Sequence, residues 1–323
     1  VMKLYEDCIL CPRNCHVNRA EGKTGFCGMD SEIRAARAAL HMWEEPCISG
    51  DAGSGAVFFS GCPLGCVFCQ NHSIAAGRLG KTIATERLAE IFLELQDQKA
   101  WNINLVTAGH FAPQVVRALE LAKGQGLKLP IVYNTSGYEK VETLRMFEGL
   151  VDIYLPDFKY LSAELADAYS HAADYPQVAK LALQEMVRQV GSAQFEIVSG
   201  ENSGRVTDEL FTDVDYGDGE LERMLQGVVV RHLVLPGYVE ESKNVIRYLY
   251  ETYGNQIYIS IMNQYTPMSG IEVQYPELGR KITLREYDEV VDYAIESGVE
   301  NGFIQEGETA EESFIPEFDT SGV

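Results

Sequence analysis

The eight cysteines of this chain are the residues whose type and spacing point most clearly to chemistry. All of them lie within the first 69 of 323 residues, and most fall in two groups with intervals of two or three residues. A disulfide framework instead spreads its cysteines through a small secreted chain. The first residues, VMKLYED, lack the apolar segment of a signal peptide. We therefore interpret these cysteines as metal or cluster ligands in a cytoplasmic protein.

The sequence GCPLGCVFCQN, residues 61–71, contains a C-x3-C-x2-C pattern. Three thiolates on one loop can bind three irons of a [4Fe–4S] cluster and leave the fourth iron without a protein ligand. An open coordination position implies that a reactive ligand binds there. The alternatives are a zinc site completed by His72, or three cysteines without a metal. We call Cys62, Cys66 and Cys69 the cysteine triplet.

A second group, CILCPRNC followed by GFCG, has the pattern C-x2-C-x3-C-x11-C. Four thiolates at these intervals can close a tetrahedral site around zinc or iron, or hold an auxiliary [4Fe–4S] cluster. The number of ligands does not separate these alternatives. We favour a closed structural site, which would stabilise a segment that lacks a core of its own. Cys47 is expected to be a buried apolar thiol. We call Cys8, Cys11, Cys15 and Cys27 the N-terminal cysteines.

From about residue 55, short apolar runs of β type alternate with helical patterns. The predicted strands are 55–61, 103–108, 130–134, 152–157, 228–235 and 257–262. The predicted helices are 83–98, 112–125, 139–149, 173–190, 239–253 and 284–297, the last with a capping box, TLRE, at its start. Six strand–helix units with nearly continuous apolar strands predict an α/β fold with a parallel sheet. We expect a partial (β/α)6 TIM-like barrel with its chemistry at the carboxyl ends of the strands; an open doubly wound sheet is the competing topology.

Composition divides the chain and limits its partners. We expect a cysteine-rich, irregular N-terminal lobe over 1–50, a core over 51–310 with an acidic surface insertion at about 192–226, and a C-terminal tail over 311–323. The net charge of −22 makes nucleic acid an unfavourable partner. No apolar run approaches the ~20 residues of a membrane span, so we expect no membrane partner.

The cysteine triplet after the first strand of a six-unit chain resembles the radical S-adenosylmethionine (SAM) superfamily. Within it, FFSGC and CVFCQN are similar to the pyruvate formate-lyase activating enzymes, in particular to a branch with a cysteine-rich N-terminus. The resemblance extends from Cys8 to Phe318 apart from the acidic insertion. It implies that the amino and carboxylate groups of SAM chelate the unique iron. Reduction of the cluster then cleaves SAM to methionine and a 5′-deoxyadenosyl radical.

The resemblance also assigns residues to SAM binding. Phe68 matches an aromatic position whose backbone approaches the adenine. The Gly-Gly-Glu motif that usually ends the second strand is replaced by TAGH, residues 107–110. The backbone of Ala108 and Gly109 can still contact SAM, while His110 either supplies a polar partner or caps the following turn.

The third and fourth strands end in segments that resemble SAM-binding motifs of the activating enzymes. Asn134 and Thr135 match an Asp-Thr-Asn-Gly segment, and Asp157 and Lys159 match a Leu-Asp-Leu-Lys segment. Alternation along a strand places Leu155, Asp157 and Lys159 on one face, so both charges would lie at the barrel mouth. Their partner would be the SAM carboxylate or a cation beside it. The alternative is a salt bridge that seals the end of the barrel.

The fifth and sixth strands carry the last candidates. Arg231 and His232 are neighbours on a strand, so only one of them can point inward. His232 fits a packed core histidine as well as it fits a ligand. With Asn263 and Gln264 after the sixth strand, these positions match contacts to the carboxylate, ribose or adenine of SAM.

The function implied by the resemblance is activation of a glycyl radical enzyme by removal of hydrogen from a backbone glycine. Such a partner must present a loop to the barrel mouth, and a flavodoxin- or ferredoxin-type protein would supply low-potential electrons. One alternative is radical modification of a small molecule or another peptide. A second is an iron–sulfur electron carrier or redox sensor without SAM chemistry, which would not explain the polar residues at the strand ends.

Overall fold

The computed structural model describes residues 3–199, 220–305 and 315–323. Ten strands of these residues form one mixed sheet in the order β10-β9-β8-β6-β5-β4-β2-β1-β3, and β7 pairs with β8 alone. They are β1 Ile33–His41, β2 Ser54–Phe59, β3 Lys81–Ile83, β4 Ile103–Val106, β5 Ile131–Thr135, β6 Ile153–Pro156, β7 Gln194–Ser199, β8 Glu220–Leu233, β9 Tyr258–Met262 and β10 Gly302–Ile304.

The centre of the sheet confirms the predicted α/β fold. β2, β4, β5, β6, β8 and β9 are parallel neighbours that follow one another in chain order. A doubly wound sheet would reverse its strand order at a switch point, which this sheet does not do. The sheet path is open rather than closed, in agreement with a partial TIM-like core. The carboxyl ends of the six strands therefore lie along one rim.

Ten α-helices connect or flank the described strands: α1 Lys3–Glu6, α2 Pro46–Ser49, α3 His72–Ala75, α4 Thr85–Asp97, α5 Ala112–Gly124, α6 Val141–Leu144, α7 Ala163–Ser170, α8 Tyr175–Val190, α9 Val239–Tyr253 and α10 Leu284–Glu296. The predicted capping box of α10 is present: Thr283 Oγ1 accepts from the Glu286 N–H, and the Glu286 side chain accepts from the Thr283 N–H. The predicted helix 139–149 is shorter and continues as a 3-10 turn, Arg145–Phe147. None of the described helices is long and apolar enough to span a bilayer.

The two faces of the parallel sheet have different coverings. The long helices pack on the outer face, where residues such as Tyr133, Tyr154 and Val230 join the main core. The opposite face, which we call the inner face, holds a smaller cluster in which Cys47 and Ile48 of α2 pack against the strands; the strand residues are Val132, Ile153, Leu155 and Val229. Cys47 is thus the buried apolar thiol that was expected.

The N-terminal lobe is less separate than the sequence predicts. Residues Ile33–His41 form β1, which pairs antiparallel with β2 and extends the sheet. With α2 on the inner face, the part after residue 32 belongs to the sheet and its core. The irregular part is the segment that carries the N-terminal cysteines. The prediction of an irregular lobe over 1–50 is therefore wrong for β1.

Two peripheral predictions can be placed only in part. The two ends of the predicted acidic insertion form β7 and the first half of β8, which pair antiparallel; its residues 200–219 lie outside the described part of the chain. In the described C-terminal segment, Phe318 packs on Phe58 with ring centroids 5.5 Å apart. Backbone hydrogen bonds join that segment to β1, at Ala36 and Ala38.

Candidate active site at the cysteine triplet

The cysteine triplet lies on the loop that directly follows β2. Two glycines shape this loop: Gly61 has φ 85° and Gly65 has φ 72°, both in the left-handed region that favours glycine. A Cβ atom on Gly61 would lie 2.7 Å from the Cys27 carbonyl oxygen. The loop is therefore pressed against the segment that carries the N-terminal cysteines.

The sulfur atoms of the triplet lie among hydrogen-bond donors. Cys62 Sγ accepts from the Leu64 N–H at 3.4 Å, and Cys66 Sγ accepts from the Ser170 hydroxyl at 3.1 Å. Burial raises the pKa of each of the three thiols, to about 11 for Cys66. Ionised sulfurs at this site therefore need a cationic partner, which the irons of a cluster provide. The donor set fits an iron–sulfur cluster.

The zinc alternative for the triplet needs a fourth ligand beside the three thiolates. No three His, Cys, Asp or Glu side chains of the described ranges come together as ligands of a single metal ion. His72, the suggested fourth ligand, is exposed. Thiolates of a [4Fe–4S] cluster each bind a different iron, so they stand farther apart than those of one tetrahedral ion.

Asp157 and Lys159 meet beside the triplet, at the end of β6. Lys159 Nζ lies 2.7 Å from Asp157 Oδ2 and 6.0 Å from the centroid of the Phe68 ring. Burial alone lowers the pKa of the Lys159 ammonium, but the charges of Asp157 and Cys66 raise it above its usual value. The two side chains thus form a salt bridge, and Lys159 brings a positive charge to the cysteine loop.

The end of β9 also reaches the cysteine loop. The Gln70 side-chain amide donates to the Gln264 carbonyl oxygen at 2.5 Å. Phe68 is buried and makes edge contacts with Tyr265 and Tyr160, at centroid distances of 6.1 and 6.5 Å. The Asn263 N–H donates to Gln305 Oε1 at 2.8 Å. Asn263, Gln264 and Phe68 therefore lie at one end of the barrel.

Arg231 points to the inner face and binds two carboxylates that the sequence did not suggest. Its guanidinium contacts Glu44, and it donates to both oxygens of Glu45 at 2.8 and 2.6 Å. Asn104 and Asn134 donate to Glu44 Oε1 at 2.7 and 3.3 Å. Burial raises the pKa of Glu44, but Arg231 outweighs it and holds the pKa below the usual range. These five side chains form a polar layer across β4, β5 and β8.

His232 points the other way, into the outer core. Its Nδ1 lies 2.8 Å from the Phe158 carbonyl oxygen, and its Nε2 lies 2.9 Å from Ser242 Oγ. Burial lowers the pKa of its imidazole to about 4, so the ring is neutral. Both nitrogens are used by the protein, which corrects the assignment of His232 to SAM: it is a packed core histidine.

His110 likewise makes its hydrogen bonds inside the protein and not at the mouth of the barrel. Its Nε2 donates to the Ser60 carbonyl oxygen at 2.8 Å, and its own carbonyl accepts from Arg19 at 2.7 Å. Burial and the neighbouring Arg19 charge lower its pKa to about 3. His110 therefore links the ends of β2 and β4 to the N-terminal segment, which replaces both predicted roles.

The segment before His110 is tightly packed. Thr107 has φ 61°, a strained conformation for a β-branched residue of the kind that concentrates at functional sites. Ala108 and Gly109 are buried, and a Cβ atom on Gly109 would lie 2.5 Å from Glu139 Oε2. Glycine is required at 109 because the Glu139 carboxyl occupies that space.

Glu139 is a buried carboxyl group that sequence reasoning missed. Thr135 Oγ1 donates to Glu139 Oε1 at 2.6 Å, so the predicted SAM contact Thr135 is engaged inside the protein. Burial raises the pKa of Glu139 to about 7. Its position three residues beyond the Asn134–Ser136 segment offered no pattern by which to select it.

Two surface depressions lie away from this rim. One is lined by α9 residues including Glu241 and Arg247, the other by residues of the segments 20–33 and 82–85 together with Gln114. Neither is lined by a cysteine. The chemistry-bearing residues are therefore concentrated at the cysteine loop and the strand ends around it.

A comparison with known families supports the predicted resemblance to radical SAM proteins. The structure described above is an α/β sheet with three cysteines on the loop after its first parallel strand. Residues 56–191, which include that loop, match the family model of the radical SAM superfamily. The match includes the cysteine triplet, all but the first two residues of β2, and β3 to β6. It supports the predicted resemblance of this segment to radical SAM proteins. The resemblance to pyruvate formate-lyase activating enzymes has no such support and stays a prediction.

Individual relatives are distant. The chain is 26% identical over 299 residues to an uncharacterised protein of Methanocaldococcus jannaschii, covering 90% of this chain and 75% of that protein. Streptococcus suis SuiB bound to the precursor peptide SuiA is 13% identical, with a TM-score of 0.46 over 76% of this chain and 47% of SuiB. SuiB bound to SAM gives 13% identity and a TM-score of 0.47, covering 76% and 48% of the two chains. The chain spans about half the length of these solved structures.

Proposed function

We propose that this protein is a radical SAM enzyme that activates a glycyl radical enzyme. The observation that carries the radical chemistry is the cysteine triplet on the loop after β2, inside the segment that matches the superfamily. When bound, the cluster supplies the electron that cleaves SAM to methionine and a 5′-deoxyadenosyl radical. That radical would take a hydrogen atom from a backbone glycine of the partner.

The chain's own residues supply the charged groups and the backbone groups that would contact SAM. Lys159 places an ammonium group beside the triplet sulfurs and remains paired with Asp157. The Asp157 carboxylate is part-exposed and can accept a hydrogen bond from the amino group of SAM. Lys159 can attract the carboxylate of SAM. Ala108 and Gly109 provide backbone groups at the end of β4. Phe68, Asn263 and Gln264 would contact the adenosine moiety.

The polar layer below the triplet supports a bound organic group. Glu44 and Glu45 fix the Arg231 guanidinium, and Asn104 and Asn134 fix Glu44, so these side chains are held in place before a ligand arrives. Preorganised polar groups of this kind orient a substrate at low entropic cost.

The choice of a glycyl radical partner rests on the resemblance of FFSGC and CVFCQN to the activating enzymes. A low-potential flavodoxin or ferredoxin would be the electron donor. The second candidate, radical modification of a small molecule or another peptide, uses the same cleavage of SAM and differs only in the group that the radical attacks.

The test is anaerobic reconstitution with iron and sulfide, followed by dithionite and SAM. We expect 5′-deoxyadenosine and methionine in equal amounts, measured by liquid chromatography. A cluster that dithionite reduces without any cleavage of SAM would contradict the proposal and favour an electron carrier. Adding a candidate glycyl radical enzyme and recording its radical by electron paramagnetic resonance (EPR) then tests the partner.

A further inference from the structure

The carboxyl end of α7 packs against the loop that carries the cysteine triplet. The Val67 N–H donates to the Tyr169 carbonyl oxygen at 2.8 Å, so the backbone of the loop is hydrogen-bonded to the last turn of the helix. His171 follows α7 in the left-handed conformation that commonly ends a helix, with φ 51°. Backbone contacts therefore already fix the end of α7 beside the triplet.

Arg13 joins the same two segments through its side chain. Its guanidinium donates to the carbonyl oxygens of Pro63 and Leu64 in the loop, at 2.8 and 2.9 Å. It also donates to the carbonyl oxygen of Ser170, at 2.9 Å, and to that of His171. A guanidinium presents its donors in a rigid plane, so these bonds hold the loop and the helix end at a fixed spacing.

The side chain that this arrangement brings to the triplet is the hydroxyl group of Ser170. Ser170 Oγ lies 3.1 Å from Cys66 Sγ. The Tyr160 hydroxyl oxygen lies 3.0 Å from the same Ser170 Oγ. Ser170 is fully buried and Tyr160 is only 1% exposed, so water does not compete for either hydroxyl group. The three side chains thus form a short hydrogen-bonded series that ends on a triplet sulfur.

The chemistry of a bound cysteine decides which atom donates in each of these bonds. A thiolate that binds iron has lost its proton and can only accept, so the proton between Ser170 and Cys66 belongs to Ser170. A serine hydroxyl has one proton, and its use toward the sulfur leaves Ser170 Oγ as the acceptor toward Tyr160. Tyr160 therefore donates to Ser170, and Ser170 donates to Cys66.

We propose that Ser170 is a positioning residue that sets the reduction potential of the cluster at the triplet. The inference rests on the radical chemistry proposed above and concerns the step before SAM is cleaved. In that step [4Fe–4S]2+ takes up one electron from the donor and becomes [4Fe–4S]+, and no proton is transferred. A hydrogen bond to a ligand sulfur stabilises the more negative, reduced state more than the oxidised state. The Ser170 hydroxyl thus makes the cluster easier to reduce.

The test is a redox titration of the full-length chain after anaerobic reconstitution with iron and sulfide, without SAM. The EPR signal of [4Fe–4S]+ that disappears in Cys66→Ala identifies the cluster at the triplet. In Ser170→Ala we expect unchanged iron content. The ratio of reduced to oxidised cluster at a given potential should fall about tenfold, a shift of about 59 mV to lower potential.

Two controls separate the hydrogen bond from a general effect of substitution. Ser170→Thr keeps a hydroxyl group and should keep the wild-type potential. Ser242→Ala removes another buried serine hydroxyl, the one that binds His232, and should also leave the potential unchanged. An unchanged potential in iron-loaded Ser170→Ala would overturn the inference, and so would an equal shift in Ser242→Ala.

Tyr160→Phe tests the direction of the bonds without changing Ser170. If Ser170 already donates to Cys66, the potential should change by about a third or less of the Ser170→Ala shift, since only the polarising effect of Tyr160 is lost. If Ser170 instead donates to Tyr160, the substitution frees its proton for the sulfur and the potential rises. That rise would contradict the inference even where Ser170→Ala does not assemble its cluster.

The titration is independent of SAM cleavage, because no SAM is present. A reducible cluster that fails to cleave SAM in the separate assay would contradict the proposed function, whereas the potentials of the variants test the role of Ser170 alone.

Discussion

The two cysteine groups differ most in the cation that lies beside their sulfur atoms. Lys159 near the triplet is already paired with Asp157, and both side chains are partly exposed at the rim. Arg19 near Cys8 is enclosed and bonds to carbonyl oxygens and sulfur. The Lys159–Asp157 pair can exchange partners with an incoming zwitterion, whereas Arg19 has no access to one. The cysteine triplet therefore lies beside an ion pair that can respond to a charged ligand, whereas Cys8 lies beside an enclosed cation.

The largest expected effect comes from removing one triplet sulfur. Cys66→Ala should abolish 5′-deoxyadenosine formation and remove the iron of the triplet, because two remaining thiolates do not retain a cubane. The N-terminal metal should stay, since the two groups share no ligand. Iron analysis and product chromatography measure both effects. Equal loss of metal from both groups would show that the sites are not separate; Cys47→Ala serves as the control.

Unfolding at acid pH tests the assignment of His232 as a neutral histidine of the core. The pKa of His232 is about 4 in the fold, against about 6.5 in an unfolded chain. Between these values the unfolded chain binds more protons, so stability falls as the pH is lowered from about 6.5 to about 4, by up to about 3 kcal/mol. Urea unfolding of metal-free protein should show this slope in the wild type and a flatter one in His232→Gln. The same slope in both proteins would assign the acid loss to other groups.

The smallest expected effect concerns the Asp157–Lys159 pair beside the cysteine triplet. Asp157→Asn should weaken SAM binding about tenfold, which corresponds to one charged hydrogen bond of about 1.5 kcal/mol, and should leave the iron content unchanged. Equilibrium binding of SAM to the reconstituted, oxidised protein measures it. If the affinity is unchanged, the Asp157–Lys159 pair only closes the rim.

The parts of the fold set by local sequence were predictable. Apolar β-branched runs gave the parallel strands, and the TLRE segment gave the start of α10. β1 was missed because its sequence, IRAARAALH, consists mostly of Ala, Arg and Leu, which favour helices. Pairing with β2 overrides that preference, and no local pattern reports such a long-range contact.

The residues of the site likewise divide into those that local sequence revealed and those that only the fold revealed. The triplet is contiguous in sequence, so its spacing alone revealed it. Strand alternation required that only one of Arg231 and His232 point inward, but the choice depends on which face the helices cover. The partners of Arg231, Glu44 and Glu45, are 187 and 186 residues away along the chain. Their role became visible only when the fold brought α2 onto the inner face.

The position of α2 restricts how a reactant can approach. Cys47 and Ile48 fill the interior between β5, β6 and β8, and the Glu44–Arg231 contact closes the space above them. The inner face is thus packed with the chain's own side chains at this level. A macromolecular partner of the kind proposed above would therefore have to present a protruding segment at the rim, with its reactive atom on an exposed stretch of backbone.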